Sequence, residues 1–220
     1  MPELPNEPIP LVSSVFDDGV ASMDEFLARV VIANDEFWSF AFRTWGRQEP
    51  YFTYTFPTTG NSIATPCGPT NDTTLMYCPA SDGVYVSTQA AYDLWTGAQF
   101  GGGPTPGFQP ADFGVAYIVG HEIAHNIQNE LGIFPRGDTV KNHELQADCL
   151  SGIWARWAYS QNQLDAGDLE EAVEAAEWGG DYQNTNQQHH GLPSERSAAW
   201  ALGFNNYSMA TCNVYNRPSE

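Results

Sequence analysis

A chain of 220 residues fits one domain with a substantial core, and 27 acids against one lysine and seven arginines give it a net charge of -19. So acidic a surface repels phosphate backbones and anionic lipid, which excludes nucleic acid and anionic membrane faces as partners. No apolar run reaches the roughly 18 residues that a membrane-spanning helix needs, so the chain as given is expected to make no membrane contact.

In chain order, residues 1–13 are Pro-rich and read as an extended or disordered segment, and residues 14–220 read as a single domain. Ser22-Met23-Asp24-Glu25 has the form of a capping box. It opens a helix with Phe26, Leu27, Val30, Val31, Asn34, Phe37, Trp38 and Ala41 at helical spacing. From Tyr51 to Phe56 the pattern changes to alternation, and short strands are expected at about 75–77 and 84–87, making a small sheet. Cys67 and Cys78 flank a polar turn, Gly68 to Thr74, whose ends can meet as a hairpin. A bridge there is expected, adding about 3 kcal/mol through the unfolded chain. The Gly- and Pro-rich residues 100–107 suit either a flexible cleft rim or a surface connector.

A long apolar helix follows, with Phe113, Val115, Tyr117, Ile118, Val119, Ile123, Ile127 and Leu131, Asp112 as its N-cap and Gly132 as its stop. It contains His121-Glu122-Ile123-Ala124-His125. Residues four apart lie one turn above each other, so both imidazoles can face one ion, with Glu122 within reach of a water on that ion. The alternative is a pair of core histidines satisfied by hydrogen bonds. A second helix, at about 142–160, places Glu144, Ala147, Asp148, Ser151 and Ala155 on one stripe. The stripe is small apart from its acids, which lets the two helices approach closely. Glu144 is therefore the expected third ligand, with His143 as the alternative, and Asp148 the expected acceptor for the free ring N–H of His121 or His125. Cys149 either bridges to Cys212, tethering the tail, or is a free buried thiol. The acidic stretch 165–178 reads as a solvated helix face outside the active site. His190 and Arg196 are candidates for a donor to a developing oxyanion, with an exposed pair at His189 and His190 as the plainer reading.

Ala116 to Gln128 and Glu144 to Ala155 resemble the bacterial neutral zinc metallopeptidases, a gluzincin-like group. The resemblance extends to Cys67-Gly68, Tyr77-Cys78-Pro79-Ala80 and Val84-Tyr85-Val86, and to His190-Gly191, Ser194, Arg196 and Trp200, over about residues 15–205. It implies one zinc per chain on His121, His125 and Glu144, Glu122 as catalytic acid/base, and His190 as the favoured donor. Ala124 and Asn126 stand where that family commonly has Gly and His; neither change removes a ligand or the base. The family commonly carries an N-terminal anchor or export signal, so an anchor or signal is expected ahead of this chain in its full-length form.

The expected fold is α+β and zincin-like, mainly helical with a small sheet, the His121–His125 helix packed on the helix that bears Glu144. The expected activity is hydrolysis of peptides or proteins by a zinc-activated water, with no covalent intermediate. The rivals are a zinc-bearing, non-catalytic extracellular binding module and a structural zinc fold closed by a fourth ligand such as His143. An edge strand at 84–87 is expected to pair with extended substrate. Four cysteines in an acidic chain point to an extracellular, periplasmic or cell-surface location, with a cytoplasmic protein holding reduced thiols as the alternative.

Overall fold

The computed structural model describes residues 22–98, 112–134, 139–183 and 185–216. The expected 1–13 segment and the 100–107 loop lie outside these residues. Helix α1 (Met23–Thr44) starts where Ser22 Oγ accepts the Glu25 N–H, as a capping box requires, while the Glu25 carboxylate holds Arg29 at 2.6 Å. Its apolar stripe, from Phe26 and Leu27 to Ala41 and Phe42, is buried.

The alternating segment then yields β1 (Thr53–Thr55), β4 (Leu75–Cys78) and β5 (Gly83–Val86), with a two-stranded ribbon, β2 (Ala64–Thr65) and β3 (Gly68–Pro69), between β1 and β4. The sheet order is β1-β5-β4: β1 runs parallel to β5 and β4 antiparallel to it. This corrects the expectation for 84–87. That segment forms the middle strand, and among the described residues β1 and β4 are the sheet's edges. The Cys67–Cys78 bridge joins the ribbon to the end of β4.

After α2 (Thr88–Thr96) comes α3 (Asp112–Glu130), which is buried at every residue from Phe113 to Gln128. A helix covered on all sides must be the centre of its domain. It is packed by α1, by the sheet, by α4 (Val140–Ser160) and by α5 (Asp168–Trp178). Asp112 is the first helical residue and not the N-cap; its carboxylate takes the Phe113 N–H at 2.8 Å. Gly132, at φ 67°, follows the helix as expected. Helix α4 begins two residues before the expected 142, capped by Thr139.

Helix α6 (Pro193–Asn206) lies against α4, and α7 (Met209–Cys212) is tied to α4 by the Cys149–Cys212 bridge. Glycines set these approaches. A Cβ on Gly120 of α3 would meet Ser151 Oγ of α4 at 3.0 Å, whereas one on Gly152 or Gly203 would collide with backbone carbonyls of Trp200 or Cys149 across the α4–α6 contact. The fold is thus α+β, mainly helical, with a small sheet. Among the described residues no helix is long and apolar enough to cross a membrane.

Candidate metal centre

Helix α3 projects His121 and His125 from one face, and Glu144 meets them from the first turns of α4. His121 Nε2 and His125 Nε2 are 3.1 Å apart; His121 Nε2 is 3.2 Å from Glu144 Oε2, and His125 Nε2 is 3.3 Å from Glu144 Oε1. Tetrahedral ligands about 2.0–2.1 Å from a zinc ion stand roughly 3.3 Å from one another. The three donors already have that spacing.

Their protonation points the same way. His121 Nδ1 lies 2.9 Å from Asp148 Oδ1, and His125 Nδ1 lies 2.8 Å from Gln128 Oε1. Both partners are acceptors, since Gln128 commits its own Nε2 to the His143 carbonyl and to Gln146. Each ring therefore carries a hydrogen on Nδ1 and aims its Nε2 at the other ring and at the Glu144 carboxylate. Three such atoms this close need positive charge between them, a proton or a metal ion, and a divalent metal fits this donor set. Burial works against charge on His121, but the Asp148 carboxylate and hydrogen bonds to Asp148 and Glu144 push its pKa up to about 9. Burial also opposes ionisation of Glu144, yet the facing His125 and His121 rings hold it well below the usual carboxylate range.

Asp148 anchors a buried network. It accepts the Tyr117 hydroxyl at 2.6 Å and Arg196 Nη2 at 3.0 Å, and Arg196 Nε bonds its other oxygen. Arg196 Nη1 donates to the Gly179 carbonyl at 3.0 Å and lies 3.3 Å from Glu144 Oε2. Its guanidinium is thus committed to orienting its neighbours. His143 stays outside the donor group: its ring meets Phe134 edge-on at 5.2 Å.

Glu122 is buried beside the donors, and its Oε2 accepts the Tyr77 N–H of β4 at 2.6 Å. Because Ser87 N–H donates to the Thr74 carbonyl, the two-residue alternation turns the main-chain groups of Leu75 and Tyr77 away from β5. They face a cleft of about 420 Å³ that also contains Ile118, Trp178, His190 and the donors. Helix α5 therefore does not stand outside the cleft, as the 165–178 reading has it; its C-terminal Trp178 forms part of the wall. Of the two histidines, His189 is buried, 2.5 Å from Asp181 Oδ1, while His190 is exposed at the rim with Nδ1 3.4 Å from Asp181 Oδ2.

Sequence reasoning missed Gln128, Tyr117 as a partner of Asp148, and the Tyr77 N–H. The first two lie three residues after His125 and four before His121, on the same helix face, and that spacing was the available signal. A second group, Asp112, Asp168 and Glu171, brings carboxylate oxygens within 4.8 Å of one another where α3 and α5 begin. Burial, followed by like charge, pushes Glu171 up to about 8. Asp168 is pushed up to about 6, again chiefly by burial.

Residues 17–215 match the family described as "Putative neutral zinc metallopeptidase". Uncharacterized protein YpfJ of Escherichia coli (strain K12) is 29% identical over 163 residues, covering 64% of this chain and 54% of its own length. Uncharacterized protein Mb2605 of Mycobacterium bovis is 30% identical over 185 residues, covering 70% of this chain and 59% of its own length. The chain thus spans little more than half of the curated relatives it matches. No solved structure matches it.

Proposed function

The chain belongs to this metallopeptidase family, and we propose that it is a zinc-dependent peptidase of the zincin type, with residues 14–220 as one catalytic domain. The observation that carries this reading is the convergence of two imidazole Nε2 atoms and a carboxylate beside Glu122, in an open cleft. His121, His125 and Glu144 would hold the ion. Zinc bound there supplies Lewis-acid chemistry, acidifying a water at its open position and polarising the substrate carbonyl.

The protein's own part starts with Glu122. Its Oε2 is occupied by the Tyr77 N–H, which leaves Oε1 to take a proton from the attacking water and return it to the leaving amine. A carboxylate so fixed has no task in a site that merely holds metal, which favours an enzyme over a binding module. The outward main chain of Leu75 and the Tyr77 carbonyl suit pairing with an extended peptide, which assigns β4 the task expected of 84–87. His190 stands at the cleft rim beside Asp181 and is the candidate donor to the carbonyl oxygen of the substrate, a role that requires a hydrogen on its Nε2. Two disulfides fit a protein made outside the reducing cytoplasm, and we place its work at the cell surface, in the periplasm or outside the cell.

The test compares the zinc-loaded wild type with Glu122→Gln against a diverse peptide library. The variant is expected to keep zinc and fold while losing at least about a hundredfold in hydrolysis, since an amide cannot take the proton. Wild-type turnover in Glu122→Gln would remove the base. A zinc-loaded wild type that cleaved nothing would leave the binding module.

A further inference from the structure

On the far side of the sheet from the cleft, α1 and the 49–54 segment enclose a groove of about 310 Å³ that includes Ile32, Asp35, Glu49, Tyr51, Phe52 and Tyr54. Three of the chain's exposed large apolar side chains gather here, Ile32 at 47%, Tyr51 at 65% and Tyr54 at 46%. Exposed apolar groups that cluster in a concave surface mark binding sites more often than scattered ones do. Acids stand among them. Asp35 is exposed at the rim and, among the described residues, accepts a long bond from Ser39 Oγ at 3.4 Å; partial desolvation, with Glu49 adding like charge, holds its pKa up. Glu49 pairs with Arg43 at 2.8 Å, so the groove keeps an excess negative charge.

One wall belongs to β1, an edge of the sheet among the described residues. The Thr53 N–H donates to the Asp82 carbonyl in the parallel pairing with β5, so the alternation turns the N–H and C=O of Tyr54 outward. The wall is mounted rigidly: Tyr51 donates its N–H to Glu130 Oε1 at 3.2 Å and accepts Asn126 Nδ2 at 3.0 Å, both from α3. A strand edge, aromatic faces and carboxylates together match an extended segment that alternates cationic and aliphatic side chains.

We propose that this groove is a second peptide-docking site, separate from the cleft, for an extended basic segment of a substrate or partner protein. A lysine or arginine of that segment lies between Asp35 and the tyrosine faces, and its aliphatic neighbours cover Ile32 and Phe52. Docking needs neither zinc nor turnover, so it stands or falls apart from the catalytic reading.

The probe is a fluorescein-labelled decapeptide of alternating lysine and valine, titrated by anisotropy into zinc-loaded Glu122→Gln protein at about 0.15 M salt, where diffuse charge is screened. Asp35→Asn with Glu49→Gln is expected to weaken binding about tenfold or more, and Tyr54→Ala several-fold. Glu170→Gln with Glu174→Gln, on the exposed face of α5, is expected to change it less than about twofold. Because Asp35 and Glu49 both lie at the surface, the first pair should fold as well as the wild type, which a thermal melt checks. Equal weakening by both charge pairs would reduce the binding to diffuse attraction and overturn the site. So would loss of binding on chelating the metal, which would move the peptide to the cleft. A dimer in sedimentation that the Asp35 and Glu49 changes disperse, with no peptide bound, would give the groove to a second copy of the chain instead.

Discussion

Asp148 uses both carboxylate oxygens, taking Tyr117, His121 and one arm of Arg196 on Oδ1 and Arg196 Nε on Oδ2. Asp148→Asn offers one oxygen and one amide, so it cannot satisfy both His121 and the guanidinium. Zinc affinity in a chelator-competition titration is expected to fall about 10–100-fold. Stability is expected to fall by up to about 3–5 kcal/mol in urea, because the buried Arg196 loses its nearer counter-ion and keeps only Glu144 at 3.3 Å. His121, His125 and Glu144 were legible because a helix converts spacing into direction. The choice of His121 as Asp148's partner was not legible, since both rings lie within one helix turn and only packing separates them. Nor was the Tyr77 N–H, because a main-chain donor leaves no mark in the side-chain pattern and the register of β4 against α3 is a tertiary fact.

The first turn of α5 shows where pattern reading of an element stops. Asp168, Glu170 and Glu171 look like a solvated acidic face, yet Asp168 is buried, and the small face of Ala172, Ala175 and Ala176 packs inward. The folded-state pKa of Glu171, about 8, exceeds the ordinary value of 4.5. Its folded form therefore binds a proton more tightly than the unfolded chain does. That contribution is complete below pH 4.5 and declines as pH rises through 8. Glu171→Gln keeps the hydrogen-bonding shape without the charge. Its melting temperature should fall less than that of the wild type between about pH 5 and 9 and exceed it by a few degrees at the alkaline end, a difference of about 1 kcal/mol in a chain this long. Parallel melts across that range, with equal slopes for both proteins, would count against a proton held at this junction. The strands carry a similar lesson. Alternation locates 51–56, 75–77 and 84–87, but sheet order depends on which strands pair, so from sequence alone the middle strand reads as an edge.

At the scale of the whole molecule, two cross-links close loops of different length. Cys67–Cys78 spans 11 residues and Cys149–Cys212 spans 63, and chain entropy assigns them about 3 and 4 kcal/mol. Mutating both cysteines of the longer bridge to alanine should therefore cost more stability in urea than the same change at the shorter one. Without reduction the denatured protein should show no alkylatable thiol. The glycine joint of α4 and α6 has a different kind of reach. Gly152 lies one turn after Asp148, and Gly203 two turns after Arg196, so the helices that present this ion pair touch backbone to backbone close by. The joint works as a spacer whose thickness is set by bare main chain, and the tolerance of a metal site is a fraction of an ångström. A single added methyl, Gly203→Ala, would tilt α6 and misalign Asp148 against His121. Zinc should then dissociate faster from a protein whose donors are all intact, so a lesion far from the metal would read out as loss of the metal.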